Sequence, residues 1–110
     1  MRKIVIVEDN EQMLGFMKTT LGGAYEVYTA ADGQQGLEEI RRVYPDLIIS
    51  DLMMPRMDGF EMCTLIRQDP LTSHIPLLML TATSNEGDRA ASYNCGADAF
   101  ISKPISVKTL

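Results

Sequence analysis

The stretch LIISDLMMPRMDG, residues Leu47 to Gly59, places a lone carboxylate, Asp51, at the end of an apolar run. A short run rich in Ile and Leu is typical of a buried strand. The proline and the Asp-Gly pair that follow are typical of a loop. The sequence therefore predicts that Asp51 lies where a strand passes into a loop, because a bare charge inside a core would cost free energy.

Short apolar runs alternate with helical patterns along the whole chain. Five runs have the length of buried strands, and they cover Lys3–Val7, Tyr25–Ala30, Asp46–Ser50, Pro76–Thr81 and Ala99–Ser102. Patterns of helical spacing lie between them, over Glu11–Leu21, Gln34–Val43, Asp58–Gln68 and Asn85–Cys95. This alternation predicts an α/β fold in which a parallel sheet carries helices on both faces.

The composition is that of one acidic domain over residues 1–110, since 45% hydrophobic content is enough for a single core. A net charge of −5 argues against direct contact with nucleic acid, which needs clustered Lys and Arg. No run approaches the roughly 18 apolar residues of a membrane span. Cys63 and Cys95 lack metal-ligand spacing and suit a reducing compartment, so we expect a cytoplasmic domain.

Polar residues stand where four of the predicted strands end. Glu8 and Asp9 follow the first strand, Asp51 follows the third, Thr81 closes the fourth and Lys103 follows the fifth. The carboxyl ends of parallel strands meet at one edge of a sheet, where ligands bind near the switch point of strand order. The fold prediction therefore brings three carboxylates, a hydroxyl and an ammonium group together.

This set of groups suits phosphoryl transfer. Clustered carboxylates repel one another, and a divalent cation relieves that repulsion. Ligands that are all oxygen favour Mg²⁺. A carboxylate can attack phosphorus to give an acyl phosphate, while a cation and a lysine neutralise charge on the transferring oxygens. The residues therefore indicate a site that accepts a phosphoryl group on Asp51.

Four segments together resemble the receiver domain of response regulators from bacterial two-component systems. They are IVIVEDN (residues 4–10), LIISDLMMPRMDG (47–59), IPLLMLTA (75–82) and GADAFISKP (96–104). Any one of them is a weak signal, whereas four in order at receiver-like spacing are specific. The resemblance implies a flavodoxin-like (CheY-like), doubly wound, five-stranded parallel sheet with strand order 2-1-3-4-5.

The resemblance also implies a role for each candidate residue. Asp51 is the phosphoacceptor, and Mg²⁺, or Mn²⁺ in its place, is held by Glu8, Asp9, Asp51 and the backbone carbonyl of Met53. The remaining roles are those of a switch hydroxyl, an aromatic switch and a phosphate contact, which fall to Thr81, Phe100 and Lys103. A receiver is a phosphorelay switch rather than an enzyme, although it catalyses its own phosphorylation and dephosphorylation.

The partners implied are a histidine kinase as phosphodonor and an output domain, or a second receiver, bound through the face of helix 4, strand 5 and helix 5. The wording of the motifs is also similar to receivers inside hybrid sensor histidine kinases. The last residues, ISVKTL, supply barely one turn of a fifth helix. We therefore expect a truncated fifth helix in a domain excised from a longer protein, with no membrane contact of its own.

Two other functions fit part of the same residue set. A Mg²⁺-dependent phosphohydrolase of the haloacid-dehalogenase kind also uses an Asp nucleophile with Thr and Lys. It places that nucleophile after the first strand, however, with a second Asp two residues later, where this chain has Met53. A pseudo-receiver, which binds partners without phosphorylation, is the other alternative. The complete set of acids, hydroxyl and ammonium argues against it.

Overall fold

The computed structural model describes residues 2–52, 54, 56–81 and 96–102, with Thr81, Phe100 and Ser102 described by their backbone alone. The strands in these ranges are β1 (Lys3–Val7), β2 (Glu26–Ala30), β3 (Leu47–Asp51), β4 (Leu77–Thr81) and β5 (Ala99–Ser102). The helices are α1 (Glu11–Leu21), α2 (Gly33–Val43) and α3 (Gly59–Gln68). Strands and helices alternate up to β4, as the hydrophobic pattern predicts.

The five strands form one parallel sheet in the order β2-β1-β3-β4-β5. This confirms the predicted flavodoxin-like topology. Strand β1 lies between β2 and β3, so the direction of winding reverses there. The crevice at such a reversal, beyond the carboxyl ends of the strands, is where open α/β sheets bind ligands.

The hydrophobic core has two parts, one on each face of the sheet. Alternate residues of a strand point to opposite faces, and β1 follows this rule with Val5 and Val7 on one side and Ile4 and Ile6 on the other. The first side packs against α2 and α3, and the second packs against α1. The central strands are therefore buried on both faces, which explains why they are apolar almost throughout.

Each described helix begins with a side chain that caps its first turn. Asn10 accepts a hydrogen bond from the Met13 amide at 3.1 Å. Asp32 and Asp58 do the same for the amides three residues further on, at 2.8 and 2.9 Å. Short polar side chains at this position satisfy an amide that the helix itself leaves unbonded. Asn10, Asp32 and Asp58 therefore serve as helix N-caps.

The predicted element bounds differ from the structure by one residue at several ends. Strand β3 is the informative case, because it starts at Leu47 and ends at Asp51. Asp46 precedes the strand, where its carboxylate accepts from the Lys3 amide at 2.8 Å and its own amide donates to the Lys3 carbonyl at 2.8 Å. The helix predicted over Asn85–Cys95 and the fifth helix predicted after Lys103 lie outside the described residues. No helix among those described is long and apolar enough to cross a membrane.

One arginine joins α3 to the starts of β4 and β5. The Arg67 guanidinium donates from Nε to the Gly96 carbonyl at 2.8 Å and from Nη2 to Asp98 Oδ2 at 2.8 Å. Its Nη1 donates to the Ile75 carbonyl at 2.7 Å. The same Asp98 oxygen accepts from the Leu77 amide at 2.8 Å. These bonds need a planar donor with a fixed fork, which lysine does not have.

We expect Arg67→Lys to lower the free energy of unfolding by about 1–3 kcal/mol, because part-buried carbonyls lose their donors. Urea titration followed by circular dichroism measures this. Arg42→Lys is the matched control, since Arg42 also pairs with an acid, Glu39, but is mostly exposed. It should change stability by less than about 0.5 kcal/mol. Equal losses in the two variants would contradict the structural role of Arg67.

Candidate functional site

The register of the sheet decides which strand ends lie side by side. In the β1–β3 pair, Val7 is opposite Ser50. The residues that follow these two, Glu8 and Asp51, therefore start from neighbouring backbone positions. On the other side of β3, Asp51 is opposite Leu80 of β4. Asp51 thus occupies the middle of the carboxyl edge, between an acidic strand end and a strand that closes with a hydroxyl residue.

Asp51 is buried, with 6% of its surface exposed. The sequence predicts it just after the third strand, where the strand passes into a loop, and the structure has it as the last residue of β3, within the buried strand end. The Leu52 amide donates to Asp51 Oδ1 at 2.8 Å and also to the Leu80 carbonyl at 3.0 Å. The carboxylate is therefore oriented by the backbone at the point where the strand ends.

The two acids after β1 have opposite environments. Glu8 is 1% exposed, and its Oε1 accepts a hydrogen bond from the Asn10 amide at 3.3 Å. Its own amide donates to the Ala30 carbonyl of β2 at 3.0 Å, which continues the sheet by one residue. Asp9 is exposed. Glu8 is therefore buried in the edge of the sheet, while Asp9 lies at the same edge and is exposed to solvent.

Glu8, Asp9 and Asp51 each bring one carboxylate oxygen to a common point, and these three oxygens lie within 4.8 Å of one another. Such a spacing lets a single ion contact all three. The donors are hard oxygen ligands, which fit Mg²⁺ and not a soft metal. With one acid exposed, the point is open to solvent on one side, so the cation could keep several of its waters, as Mg²⁺ requires.

The loop that leaves Asp51 closes on itself at the start of α3. The Gly59 amide donates to the Leu52 carbonyl at 2.8 Å. A Cβ added to Gly59 would come within 2.4 Å of the Asp51 carbonyl oxygen. Only a residue without a side chain allows this approach. The glycine of the opening motif is thus needed for packing against the strand end.

The remaining predicted site residues are only partly described. Thr81 ends β4 and is opposite Ser102 of β5, so its backbone lies at the same edge as Asp51. Phe100 lies within β5, opposite Met79. Nothing is described of the side chains of Thr81 and Phe100, and Met53 and Lys103 lie outside the described residues. Their proposed roles therefore stay predictions from the sequence.

Sequence reasoning missed one contact near the site, between the start of α2 and the loop after β3. The Gly33 amide donates to the Met57 carbonyl at 3.1 Å. Asp32 lies 3.7 Å from the Arg56 guanidinium. A signal was present, because Asp32-Gly33 repeats the Asp58-Gly59 pair that opens α3. Two helices that begin with the same pair at the same sheet edge suggest two close backbone approaches.

With the fold and the acidic cluster established, comparison with known proteins decides the family. Residues 4–110 match the family described as the response regulator receiver domain. The chain belongs to this family. Receiver domains are switches of phosphorelay signalling and not enzymes in the usual sense. The predicted family, fold and general function are therefore confirmed, and neither alternative function gains support.

The similar proteins include response regulators and hybrid histidine kinases. The chain is 41% identical to the response regulator PleD of Caulobacter vibrioides over 104 residues, covering 94% of this chain and 23% of that protein. It is 41% identical to hybrid signal transduction histidine kinase D of Dictyostelium discoideum over 107 residues, covering 97% and 7%. The chain thus spans less than a quarter of either relative.

Solved receiver structures superpose closely on the chain. Vibrio cholerae chemotaxis protein CheY4 aligns with a TM-score of 0.94 at 34% sequence identity, covering 99% of this chain and 92% of that one. At this TM-score the two chains share the same fold. The carboxyl edge described above is therefore the corresponding edge of a receiver domain.

We expect Mg²⁺ to raise the thermal midpoint of the protein, because a ligand that binds only the native state stabilises it. Asp9→Asn should lose most of this rise. Without Mg²⁺ the same variant should be more stable by up to about 1 kcal/mol, since one of three adjacent negative charges is gone. Differential scanning calorimetry with Mg²⁺ or with a chelator measures both effects.

Glu38→Gln is the control for this experiment, because Glu38 is an exposed acid on α2 outside the cluster. It should respond to Mg²⁺ as the unaltered protein does. The same rise in Asp9→Asn and in the unaltered protein would show that the cation binds elsewhere.

Proposed function

We propose that this receiver domain accepts a phosphoryl group on Asp51 from the phosphohistidine of a histidine kinase. The observation that carries the proposal is the convergence of three carboxylate oxygens at the carboxyl edge of the sheet, with Asp51 in the central strand. Membership of the receiver family supports it. Mg²⁺ is the proposed cofactor, and the acids present fit it.

Asp51 is preferred over its two acidic neighbours because of its place in the sheet. Strand β3 has the acidic end of β1 on one side and β4, with Thr81, on the other. A group on Asp51 would therefore face the metal ligands on one side and the proposed hydroxyl and ammonium contacts on the other. Glu8 and Asp9 lie at the acidic side only, where they would hold the cation rather than the phosphoryl group.

The proposed step breaks one bond and forms one. An oxygen of the Asp51 carboxylate bonds to phosphorus while the bond from phosphorus to the imidazole nitrogen of the kinase breaks. The nitrogen keeps that electron pair, and the product is an acyl phosphate. Mg²⁺ held by Glu8, Asp9 and Asp51 would supply positive charge for the phosphoryl oxygens. The hydrogen bond of 2.8 Å from the Leu52 amide orients the Asp51 carboxylate before the phosphodonor binds.

The proposed switch uses the added charge. A phosphoryl group brings negative charge and strong acceptor oxygens. Thr81 and Lys103 would contact these oxygens, and Phe100, the aromatic switch, would change position in response. It can change the conformation only through a difference in its contacts between two states. We propose that the output face includes β5, with an output domain or a second receiver as its partner. The proposed compartment is the cytoplasm.

Incubation with acetyl phosphate and Mg²⁺ should add one phosphoryl group to the protein, as measured by intact mass. Acetate leaves as the bond from phosphorus to the acetyl oxygen breaks. Asp51→Asn should show no gain, because an amide is not a nucleophile toward phosphorus. Omission of Mg²⁺ should also abolish the gain on the same timescale.

Asp58→Asn is a matched control for the loss of an acid in the same loop. Asn caps a helix about as well as Asp, so α3 should keep its first turn, and phosphorylation should continue. A gain that persists in Asp51→Asn would move the acceptor elsewhere. No gain in the unaltered protein, with Mg²⁺ bound, would support the pseudo-receiver alternative.

A further inference from the structure

The start of α2 lies directly against the loop that leaves Asp51. Two contacts join them, namely the hydrogen bond of 3.1 Å from the Gly33 amide to the Met57 carbonyl and the ion pair of Asp32 with Arg56. Asp32 is 4% exposed although it carries a charge. It caps α2 through the Gln35 amide. The helix terminus and the loop are thus joined by a backbone hydrogen bond and by an ion pair whose acid is buried and whose arginine is 65% exposed.

The Gly33 contact leaves no space for a side chain. A Cβ at this position would come within 2.2 Å of the Met57 carbonyl oxygen and 2.9 Å of its carbon. These are backbone atoms, so a side-chain rotation cannot relieve the overlap. The loop or the helix would have to move. The position of the loop is therefore set by how closely the backbone of α2 approaches it.

The loop is also held at its other end. The Gly59 amide donates to the Leu52 carbonyl at 2.8 Å, and a Cβ on Gly59 would overlap the Asp51 carbonyl oxygen. Among the described residues of this segment, Leu52 and Met57 are therefore both held by backbone hydrogen bonds. Because the Leu52 amide also donates to Asp51 Oδ1 at 2.8 Å, a displacement at Leu52 would act on one carboxylate of the acidic cluster.

We propose that Gly33 is a positioning residue for the divalent-cation site, acting through the loop after β3. The proposal rests on the proposed function, because it takes Glu8, Asp9 and Asp51 as the cation ligands. Mg²⁺ and Mn²⁺ bind well only where ligand geometry is close to octahedral. Moving the supports of metal ligands typically costs about 10- to 100-fold in metal affinity. Gly33 bonds to the loop and not to a ligand itself, so the expected effect lies at the lower end of that range.

The test compares two Gly→Ala variants by Mn²⁺ binding, measured by electron paramagnetic resonance. This signal follows the free ion and needs no phosphorylation. Gly33→Ala should weaken Mn²⁺ binding by about tenfold. Gly22→Ala is the matched control, because its Cβ would also meet a backbone oxygen, that of Lys18, at 2.7 Å. Gly22 follows the end of α1, near the start of β2 and away from the acidic cluster.

Gly22→Ala should bind Mn²⁺ within about twofold of the unaltered protein, even if both variants lose a similar amount of stability. Equal binding by Gly33→Ala and the unaltered protein would overturn the positioning role. Failure of the unaltered protein to bind Mn²⁺ would instead overturn the cation site of the proposed function. The two failures are therefore distinguishable.

A second measurement uses the unaltered protein and covers the case in which Gly33→Ala does not fold. Coupling between two sites is reciprocal, so a bound cation should stabilise the Gly33–Met57 hydrogen bond. Mg²⁺ should slow hydrogen exchange at the Gly33 amide several-fold more than at the Tyr44 amide, which bonds to Ile40 at the other end of α2. Equal slowing of both amides would contradict the proposal.

Discussion

The parallel register of β1 against β3 is the constraint on which the rest of the site depends. Because Val7 is opposite Ser50, the residues that follow them bring two carboxylates to neighbouring positions, and a third comes with the next residue of the chain. Like charges at such distances repel strongly where water is scarce. Two of the three acids are buried. The free energy of this edge is therefore sensitive to any charge added to it.

The core prevents the edge from relieving that repulsion by spreading apart. Both faces of the central strands are covered, by α1 on one side and by α2 and α3 on the other. Closely packed interiors do not deform continuously. The packed strands therefore hold the acids at fixed positions despite their electrostatic repulsion. Binding of a cation or a phosphoryl group changes this repulsion.

The two edges of the sheet are held by different contacts. The loop after Asp51 is held by backbone contacts to Gly33 and Gly59, and its Met54 and Met57 pack against the core. At the opposite edge of the sheet, the Arg67 guanidinium bonds to Gly96 and Asp98, just before β5. One edge therefore carries the acidic cluster, while contacts at the opposite edge hold the strands in register.

Most of the secondary structure could be predicted from the sequence, because short apolar runs and helical spacing report local backbone preference. The bounds of β1, α1 and β5 agree with those predicted, and the other described elements differ by one residue at one or both ends. The strand order came from the resemblance of four motifs to receivers. The candidate acids came from strand ends alone, since parallel strands must bring those ends to one edge.

Other features depended on contacts between residues far apart in the chain. Glu8 and Asp51 are buried while Asp9 is exposed, a difference that no local pattern records. The fork of Arg67 reaches residues about 30 positions away. By itself the sequence determined the elements, the family and the acids that could form a site. Only the tertiary structure decided the spacing of their oxygens and the approach of α2 to the loop, because these distances depend on packing between distant segments.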